Sequence, residues 1–329
     1  MAVLDVESHG GARGSRAADR PYPKGYTAPA HLRTAIAEAH RTRLPLTLTL
    51  AVLDLGTAAG GVLAAAWLIR VDVLLAPAVI LLLILVGRQM RALENMVHEG
   101  SHFNWSRRRR TVNDVLATIL AGAPTGATIA AYRTSHLLHH GRFGTADDPD
   151  RQRYEELDIE RLSRRGLVRD VLVRLPRYQV GWFATMKAQP VRIALPVAAT
   201  TVLVAAAGYL VLGTFGGALT ALFWLTGYFG TLPVLRLLGE ASEHVYSGSD
   251  TVFDATITNL GRWQRLLLHP HNDGYHTIHH MWPGVPHHSI RKLHNLLLAR
   301  DPDGYGRRLR YRTRLLETPR RGVPQKGTD

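Results

Sequence analysis

Four long apolar stretches alternate with polar, arginine-rich segments along the chain. The stretches cover residues 46–69, 73–87, 193–212 and 218–235. A membrane-spanning helix needs about 20 mostly apolar residues, a length that each stretch reaches or approaches. The connections at 70–72 and 213–217 are short enough to require tight reversals. The pattern therefore predicts an all-α integral membrane protein with four transmembrane helices in two hairpins.

The second stretch is the shortest, and its helix is predicted to continue out of the membrane through residues 88–100. The first stretch contains a single charged residue, Asp54. An acid inside a membrane is costly unless it is hydrated or paired. Asp54 lies toward the cytosolic end of its stretch, so a neighbouring helix or partial hydration is expected to satisfy it. A structural role is favoured over a functional one.

Charge gives the predicted helices an orientation. The chain has a net charge of +14, with 40 Lys and Arg residues against 26 Asp and Glu residues. In the four-helix topology, 39 of the 40 basic residues and all 17 histidines fall on one side, and only Arg70 lies opposite. Basic residues accumulate on the cytoplasmic side of membrane proteins. Both termini and the histidines are therefore predicted to be cytoplasmic. Buried helices of a soluble protein are the disfavoured alternative, because two stretches carry no charge.

Three regions follow from this pattern. Residues 1–43 are polar, lack the apolar core of a signal peptide, and are predicted to form a partly disordered cytosolic segment. Residues 44–300 would form the membrane domain, and 301–329 a basic tail. Within the domain, residues 112–131 are predicted to be a half-buried segment rather than a fifth span. Residues 157–175 are predicted to form an amphipathic helix at the membrane surface.

Four consecutive arginines at positions 107–110 follow Trp105 closely. Basic runs of this kind bind nucleic acid or anionic membrane surfaces. No nucleic-acid-binding motif surrounds the run, so membrane lipids are the predicted partner and nucleic acid is not. Docking of an acidic electron donor is the second use considered for it.

The candidate chemistry lies in four clusters on the predicted cytoplasmic side. The chain has no cysteine, which excludes disulfides, iron–sulfur clusters and thiolate metal ligands. The clusters are His98 with His102; His136, His139 and His140; Glu240 with Glu243 and His244; and His276, His279 and His280. Residues three or four apart on a helix share one face, so each cluster would direct its side chains the same way.

The number of imidazoles predicts more than one metal ion. A structural zinc takes four ligands and a catalytic zinc takes three from the protein. The nine histidines of these clusters exceed either requirement and suit two ions of higher coordination number. Imidazole is a good ligand for iron and leaves positions for oxygen or water. The clusters would meet if their helices bundle above the membrane, as a helical cytosolic cap that holds a di-metal site.

The runs HEGSH, HLLHH and HTIHH resemble the three histidine boxes of the membrane fatty acid desaturase and hydroxylase superfamily. The segment NDGYHTIHHMWPGVP, from Asn272 to Pro286, resembles the third box with its proline-containing tail. The likeness in topology, box order and spacing extends from residue 46 to residue 297. It implies a di-iron centre that uses O2 as a co-substrate to remove hydrogen from an unactivated C–H bond.

The resemblance assigns catalysis and iron binding to nine histidines. They are His98, His102, His136, His139, His140, His244, His276, His279 and His280. Glu240 stands one helical turn before His244, where acyl-CoA desaturases carry Asn, and it is predicted as a further metal ligand. Glu243 directly precedes His244, as in the alkane hydroxylase pattern, so this cluster is mixed. Replacing Glu240 with Gln is therefore expected to lower activity more than replacing Glu243.

The resemblance also implies a substrate and partners. The leading function is an oxygen-dependent desaturase that acts on a fatty acyl lipid. The alternative is a hydroxylase of an alkyl or other amphiphilic metabolite, because both reactions begin with hydrogen abstraction. A metal transporter is a remote alternative, since transporter ligands lie near the bilayer midplane, and a non-catalytic metal sensor is equally remote. The sequence has no haem, flavin or ferredoxin module, so a separate ferredoxin or cytochrome-type donor with its reductase is expected.

Several further polar residues lie near the clusters. Five histidines surround the last cluster: His269, His271, His287, His288 and His294. Surface or structural roles are expected for most of them, and orientation of metal ligands by hydrogen bonds for some. The acids between Asp147 and Asp150 are predicted to form a turn that caps a helix, and one of them could orient a ligand imidazole.

Overall fold

The computed structural model of the protein describes residues 18–324. The disorder expected for residues 1–17, with His9 among them, lies outside the described residues, as does the end of the basic tail at 325–329. The α-helices are α1 (Arg33–Ala39), α2 (Leu44–Val71), α3 (Ala76–Ser101), α4 (Arg110–Ala117), α5 (Ala123–Thr125), α6 (Ile129–Arg142), α7 (Pro149–Glu156), α8 (Leu167–Ala188), α9 (Leu195–Thr226), α10 (Leu232–Glu240), α11 (Val252–Ala255), α12 (Arg262–Leu267), α13 (His276–Met281) and α14 (His287–Arg300). The strands are β1 (Thr258–Asn259), β2 (Arg310–Arg312) and β3 (Arg320–Arg321). The fold is therefore mostly helical, as the sequence predicts.

Three helical segments in the described range are long and apolar enough to cross a membrane: Leu44–Val71, Val73–Ser101 and Pro190–Glu240. The first two pack along each other, and α9 packs against α2. The 26 residues of α3 extend for about 39 Å, beyond the hydrocarbon core of a bilayer at about 30 Å. The histidines at the end of α3 can therefore lie outside the apolar layer.

The Pro190–Glu240 helix reverses direction at Gly213. The backbone of Gly213 (φ 75°, ψ −175°) lies in a conformation essentially reserved for glycine. Gly208, before the break, packs against Thr220 so closely that a β-carbon would collide with the threonine side chain. The Arg70 guanidinium donates to the carbonyl just before the break, so the reversal lies beside the end of α2. The two apolar stretches on either side of Gly213 therefore lie side by side.

The segment between the first two histidine clusters is a broken helix. The helical run Arg110–Thr125 and the helix Ile129–Arg142 meet at an angle of 89°. Gly126 sits at the break with a positive φ of 69°. Together the two parts are apolar enough to count as a bent span or a re-entrant loop. The bend directs the second half of the pair, which carries the second cluster, toward the end of α3.

The largest hydrophobic core of the described residues lies among the segments that follow and cover the apolar helices. Its fully buried aromatic side chains include Phe143, Phe253, Tyr275 and Tyr305. A small sheet with the spatial order β1–β2–β3 lies at its edge, parallel between β1 and β2 and antiparallel between β2 and β3. Residues beyond 300, predicted as a tail, thus belong to the fold: Tyr305 is in the core and β2 is the central strand.

Residues 18–24, predicted to be disordered, also pack on the domain. The Lys24 ammonium donates to the His280 carbonyl at 2.8 Å. The Tyr22 ring lies 5.9 Å from the Phe143 ring, measured between centroids. The prediction of disorder is therefore wrong for residues 18–24, because these polar residues have specific partners near the last histidine cluster.

The amphipathic helix predicted over residues 157–175 lies further along the chain, as α8. Leu157 and Leu162 are instead buried in the core. The helix begins after Gly166 and continues through Pro176 to Ala188. Its exposed apolar side chains include Val168, Leu172, Val180 and Phe183, which fall on one face at helical spacing. This face is the one available to a membrane surface.

The run of four arginines divides into two parts. Arg107 is half-buried and donates to the carbonyls of His40 at 3.2 Å and Gly284 at 2.5 Å. The next three arginines are exposed, and the guanidinium of Arg110 lies 4.7 Å from the centre of the Phe103 ring. One member of the run therefore ties loops of the fold together, and three remain available for anionic lipids, which stays a prediction.

Candidate metal centre

His98 is brought to the third cluster by the length of α3. Its Nε2 lies 2.9 Å from the Nε2 of His279. Its Nδ1 lies 3.2 Å from an oxygen of Asp273. His102 follows at the end of the same helix, and its ring centre is 5.5 Å from that of His98. The i, i+4 spacing thus places both imidazoles at one end of α3, as predicted.

The second cluster projects from the middle and end of α6. His136 and His140 lie one turn apart, and their Nε2 atoms are 3.1 Å from each other. The Nε2 of His140 is also 3.0 Å from the Nε2 of His279. His139 points to the other side, where its Nε2 lies 3.4 Å from the Nε2 of His280. The three residues of this cluster therefore serve two neighbouring groups of imidazoles.

His244 reaches the centre from an extended segment rather than from a helix. It lies in a bridge with Thr256, four residues beyond the end of α10. Its Nε2 is 3.0 Å from the Nε2 of His276. Within the single turn of α13, the Nε2 of His276 is 3.1 Å from that of His280. The third cluster and His244 thus converge on the side of the centre that His139 occupies.

The nine histidines form two adjoining groups of nitrogen atoms. Each group contains ring nitrogens that all lie within 4.8 Å of one another. The first group is His98, His102, His136 and His279, and the second is His139, His244 and His280. A third set, His140, His279 and His280, shares members with both and joins them. His276 approaches His244 in a further group that includes Glu243. Two ions, each with several nitrogen ligands, fit this arrangement better than one ion does.

Most of the imidazoles are held neutral, as metal ligands must be, whereas the carboxylates of Asp150 and Asp148 raise the pKa of His139 against the effect of its burial. Burial, followed by the charges of neighbouring histidines, lowers the pKa of His244, His279 and His280 well below the ordinary value. Burial lowers the pKa of His276 to about 3, despite the opposing effect of Asp273. The Nε2 of His102 is buried without a hydrogen-bond partner in the described part of the chain. The lone pairs of neutral Nε2 atoms repel one another when these atoms lie 2.9–3.4 Å apart. A cation bound between the rings would remove this repulsion.

Two carboxylates orient the ligand imidazoles from outside the centre. Asp148, fully buried, lies 2.7 Å from the Nδ1 of His139. Asp273 lies 3.2 Å from the Nδ1 of His98. Burial alone would raise the pKa of Asp273, but hydrogen bonds from His269 and His98 and the charge of Arg91 lower it well below the usual range. Such contacts fix the ring orientation and raise the basicity of a metal-binding imidazole.

A family profile for fatty acid desaturases matches residues 72–313 of the chain. This match covers most of the sequence, including all four clusters. The chain belongs to the fatty acid desaturase family. It is also 25% identical, over 247 residues, to the dihydrorhizobitoxine desaturase of Bradyrhizobium elkanii, a match that covers 69% of each chain. The resemblance in the histidine boxes is thereby confirmed at the level of the family.

The structure does not bring Glu240 to the histidines of this desaturase-family centre. Its carboxylate pairs with Arg153 at 3.0 Å and accepts a hydrogen bond from Tyr178 at 3.1 Å. It belongs to none of the potential metal-binding groups found among residues 18–324. The prediction that Glu240 and His244 share a helix face is wrong, because α10 ends at Glu240 and the following residues form a turn.

Glu243 occupies the place that was predicted for Glu240. Its carboxylate belongs to one group with His244 and His276 and to another with His269 and Asp273. In this second group Arg91 already supplies a positive charge, 3.4 Å from Glu243 and 3.2 Å from Asp273. Glu243 is therefore the acid of this cluster that can act on a bound cation.

We expect Glu243→Gln to lower activity and metal occupancy by about tenfold or more, the scale typical of groups that support metal ligands. The amide keeps the size of the side chain and removes its charge beside His244 and His276. Glu240→Gln is the matched control, and a smaller effect is expected because its contacts are with Arg153 and Tyr178. Turnover and metal content, measured on both variants, check this order. The reverse order would restore the role first predicted for Glu240.

The histidines around the third cluster have separate contacts. His271 lies 2.6 Å from Asp54 of α2, which explains how this intramembrane acid is satisfied. The Nε2 of His269 is hydrogen-bonded to the hydroxyl of Ser242, 2.8 Å away. The Nδ1 of His294 is hydrogen-bonded to the hydroxyl of Tyr305, also 2.8 Å away. These contacts hold the segments around the third cluster together, and His269 also lies beside Asp273, which orients His98. The roles expected for the five histidines stay a prediction.

Asp273 and Arg91 are functional candidates that the sequence reasoning missed. Asp273 lies three residues before His276, within the run that resembles the third box, so its position was a usable signal. Arg91 gives no such signal, since it precedes His98 by two turns of α3 and its partners come from distant segments. The role of a buried arginine can be inferred only when the acids that pair with it are known.

A cavity of about 620 Å³ opens beside the centre. His98, His136, His139 and His276 contribute to its wall. Its wall combines ten charged side chains with apolar and aromatic ones, which include Val97, Leu157, Ile193, Tyr132, Tyr178 and Trp182. The charged residues are Arg91, Glu94, Asp150, Arg153, Glu156, Arg177, Arg236, Glu240, Glu243 and Asp273. A cavity in direct contact with the candidate ligands is the natural place for a substrate.

Proposed function

We propose that the protein is an oxygen-dependent desaturase in which the nine histidines hold two iron ions. The observation that carries this proposal is the convergence of nine histidines, seven buried and two half-buried, in a chain of the desaturase family. The Nε2 atoms of eight of them lie 2.9–3.4 Å from the Nε2 of a neighbouring histidine. Iron bound there would supply the oxidising power, with O2, to remove hydrogen from an unactivated C–H bond. The protein's part is to hold the ligands together and to fix the orientation of their rings.

The chemical balance of a desaturation defines what else the protein needs. Four electrons reduce one O2 to two waters. Two of them come from the two C–H bonds that are replaced by a double bond, and two come from an external donor. We propose a separate ferredoxin or cytochrome-type protein, with its reductase, as that donor. The exposed arginines that follow Arg107 offer a basic surface for an acidic protein.

Desaturation is favoured over hydroxylation by the relative, which is named as a desaturase. The two reactions differ in the fate of oxygen, because a hydroxylase leaves one atom of O2 in its product. We propose to express the wild-type chain and a His279→Ala variant in one host under ¹⁸O2 and to compare their metabolites by mass spectrometry. A product that lacks two hydrogens and carries no label supports the proposal. A labelled alcohol would show a hydroxylase instead.

A metal transporter would place its ligands between apolar helices near the middle of the bilayer. In this protein the candidate ligands lie at the end of α3, on α6 and on segments that follow α10. The acyl lipid expected from the family resemblance remains one substrate class among those to be tested.

We propose a four-span topology with the metal centre and both termini on the cytoplasmic face. The reversal at Gly213 and the contact of Arg70 beside it support two hairpins with their turns on the same side. The one-sided distribution of Lys and Arg supports the orientation. Reporter fusions at both ends are expected to give cytoplasmic signals. A periplasmic or extracellular signal from the C-terminal fusion would refute the topology.

A further inference from the structure

The loop before the last histidine cluster has a strained backbone. His271 (φ 56°, ψ 31°) and Asn272 (φ 64°) both lie in the left-handed region, which residues other than glycine seldom adopt. Such a conformation persists only where the surroundings fix it, and strain of this kind is concentrated at functional sites. The loop therefore depends on its contacts with neighbouring helices for its shape.

This strained loop leads directly into the candidate metal centre. Asp273 comes two residues after His271 and lies 3.2 Å from the Nδ1 of His98. His276 begins α13 three residues later, and its Nε2 lies 3.0 Å from that of His244. A change in the backbone at His271 would therefore move a carboxylate that orients one candidate ligand, together with the residue from which another projects.

Asp54 of the apolar helix α2 holds the loop from the other side. One of its carboxylate oxygens lies 2.6 Å from the Nε2 of His271. Both side chains are largely buried, with exposed fractions of 8% for Asp54 and 11% for His271. The other oxygen of Asp54 lies 3.8 Å from the guanidinium of Arg88, which also donates to the carbonyl of Leu266 at 2.9 Å. Asp54 therefore joins α2 and α3 to the segment that precedes the third cluster.

A second contact from the same face of α2 lies beyond that cluster. Thr47 precedes Asp54 by seven residues, which is about two helical turns, and its hydroxyl is 3.3 Å from the Nε2 of His287 at the start of α14. The Asn272 side chain joins the two flanks by donating to the carbonyl of His287 at 3.0 Å. Helix α2 thus contacts the chain on both sides of α13, although it contributes no residue to the potential metal-binding groups found among residues 18–324.

Stability alone does not account for this acid. A charged group inside an apolar helix is costly, and a buried ion pair stabilises a fold no better than apolar side chains of the same size do. A short contact of fixed direction has a different use, because it can hold a strained backbone in one conformation. The contact between Asp54 and His271 has this property and lies next to the residues that orient the ligands.

We propose, on the basis of the function proposed above, that Asp54 is a positioning residue of the metal centre. Its contact with His271 holds the loop in the left-handed conformation that places Asp273 against His98 and starts α13 at His276. Without this contact the loop relaxes, and the two candidate ligands lose their common orientation.

Iron retention by the purified, iron-loaded chain in detergent, measured against increasing concentrations of EDTA, tests this role. Asp54→Ala is expected to lose iron at EDTA concentrations about tenfold or more below those for the wild type, the scale typical of groups that support metal ligands. Asp54→Asn keeps an oxygen that can accept the N–H of His271, so it should retain iron nearly as well as the wild type.

His271→Ala separates this contact from other effects at Asp54. It should lose iron at the same EDTA concentrations as Asp54→Ala. The double variant should lose no more than either single variant, because both changes break one contact and their effects are then not additive.

Thr220→Val controls for a general loss of stability. Thr220 is fully buried in the second apolar stretch of the Pro190–Glu240 segment, and its hydroxyl donates to the carbonyl of Gly216 at 2.7 Å. Thermal unfolding in detergent is measured on all variants. Any fall in the unfolding temperature of Thr220→Val should leave iron retention at the wild-type level.

Iron retention in Asp54→Ala equal to that of the wild type would overturn the positioning role. So would a loss of iron in Thr220→Val as large as that in Asp54→Ala at the same unfolding temperature. Two irons and O2-dependent turnover that are both independent of Asp54 would refute this inference alone. Iron retention that depends on Asp54, in a protein without O2-dependent turnover, would refute the proposed function alone.

Discussion

His279→Ala is expected to abolish measurable activity and to remove at least one of the two irons. The Nε2 of His279 lies 2.9 Å from that of His98 and 3.0 Å from that of His140. It is therefore shared by the two groups of nitrogens, and its loss opens both. Loss of a supporting contact already costs about 10–100-fold in metal affinity or activity, so loss of a shared ligand should cost at least the upper end of that range.

His288→Ala is the matched control for this variant. His288 lies in the same part of the chain, is half-buried, and hydrogen-bonds to Ser289 rather than to any member of the centre. Turnover and iron per chain should stay at wild-type levels in this variant. Normal iron content and activity in His279→Ala, with loss in His288→Ala, would show that the centre is assigned to the wrong residues.

Asp148→Asn is expected to lower iron affinity and activity by about 10–100-fold, although Asp148 touches no metal. One carboxylate oxygen lies 2.7 Å from the Nδ1 of His139 and accepts from the backbone N–H of Asp150. The other accepts from the N–H of Gly144 and the hydroxyl of Tyr246. An asparagine has one acceptor oxygen, so in either orientation its NH2 group faces an N–H donor, that of His139 and Asp150 or that of Gly144. This repulsion displaces the side chain and loosens its hold on the His139 ring.

Asp147→Asn separates this effect from a general loss of charge. Asp147 is the exposed neighbour of Asp148 and is not in contact with a ligand imidazole in the described structure. Its substitution should leave iron content, turnover and thermal unfolding in detergent unchanged. Equal losses in both variants would mean that the local charge, rather than the orientation of His139, matters.

The spacing of the histidines was sufficient to predict the groups that converge, because each of the three boxes lies on one helix or one turn. His98 precedes His102 by four residues, and His276 precedes His280 by four, so helical geometry alone places each pair together. The same reasoning failed for Glu240. It assumed that α10 continues to His244, whereas the helix ends and a turn carries Glu243 inward. Helix ends are set by tertiary contacts that a spacing rule does not contain.

The apolar pattern located the membrane helices but not the segments that cover them. The predicted amphipathic helix over 157–175 is displaced to α8, because Leu157 and Leu162 are needed in the core. The polar residues 18–24 looked disordered by composition, yet Lys24 binds a backbone carbonyl beside the last cluster. The cavity beside the centre could not be predicted from the sequence for a related reason. Its residues come from distant helices, and their grouping depends on the packing of those helices.

The central claim is that one chain holds two irons in a centre that performs oxidation. Iron per chain, determined by elemental analysis on protein purified in mild detergent and paired with turnover of the same sample, tests it most directly. Two irons per chain in the active preparation, falling in proportion to activity on chelation, is the predicted result. One metal ion per chain in fully active enzyme, or full activity with zinc alone, would contradict it.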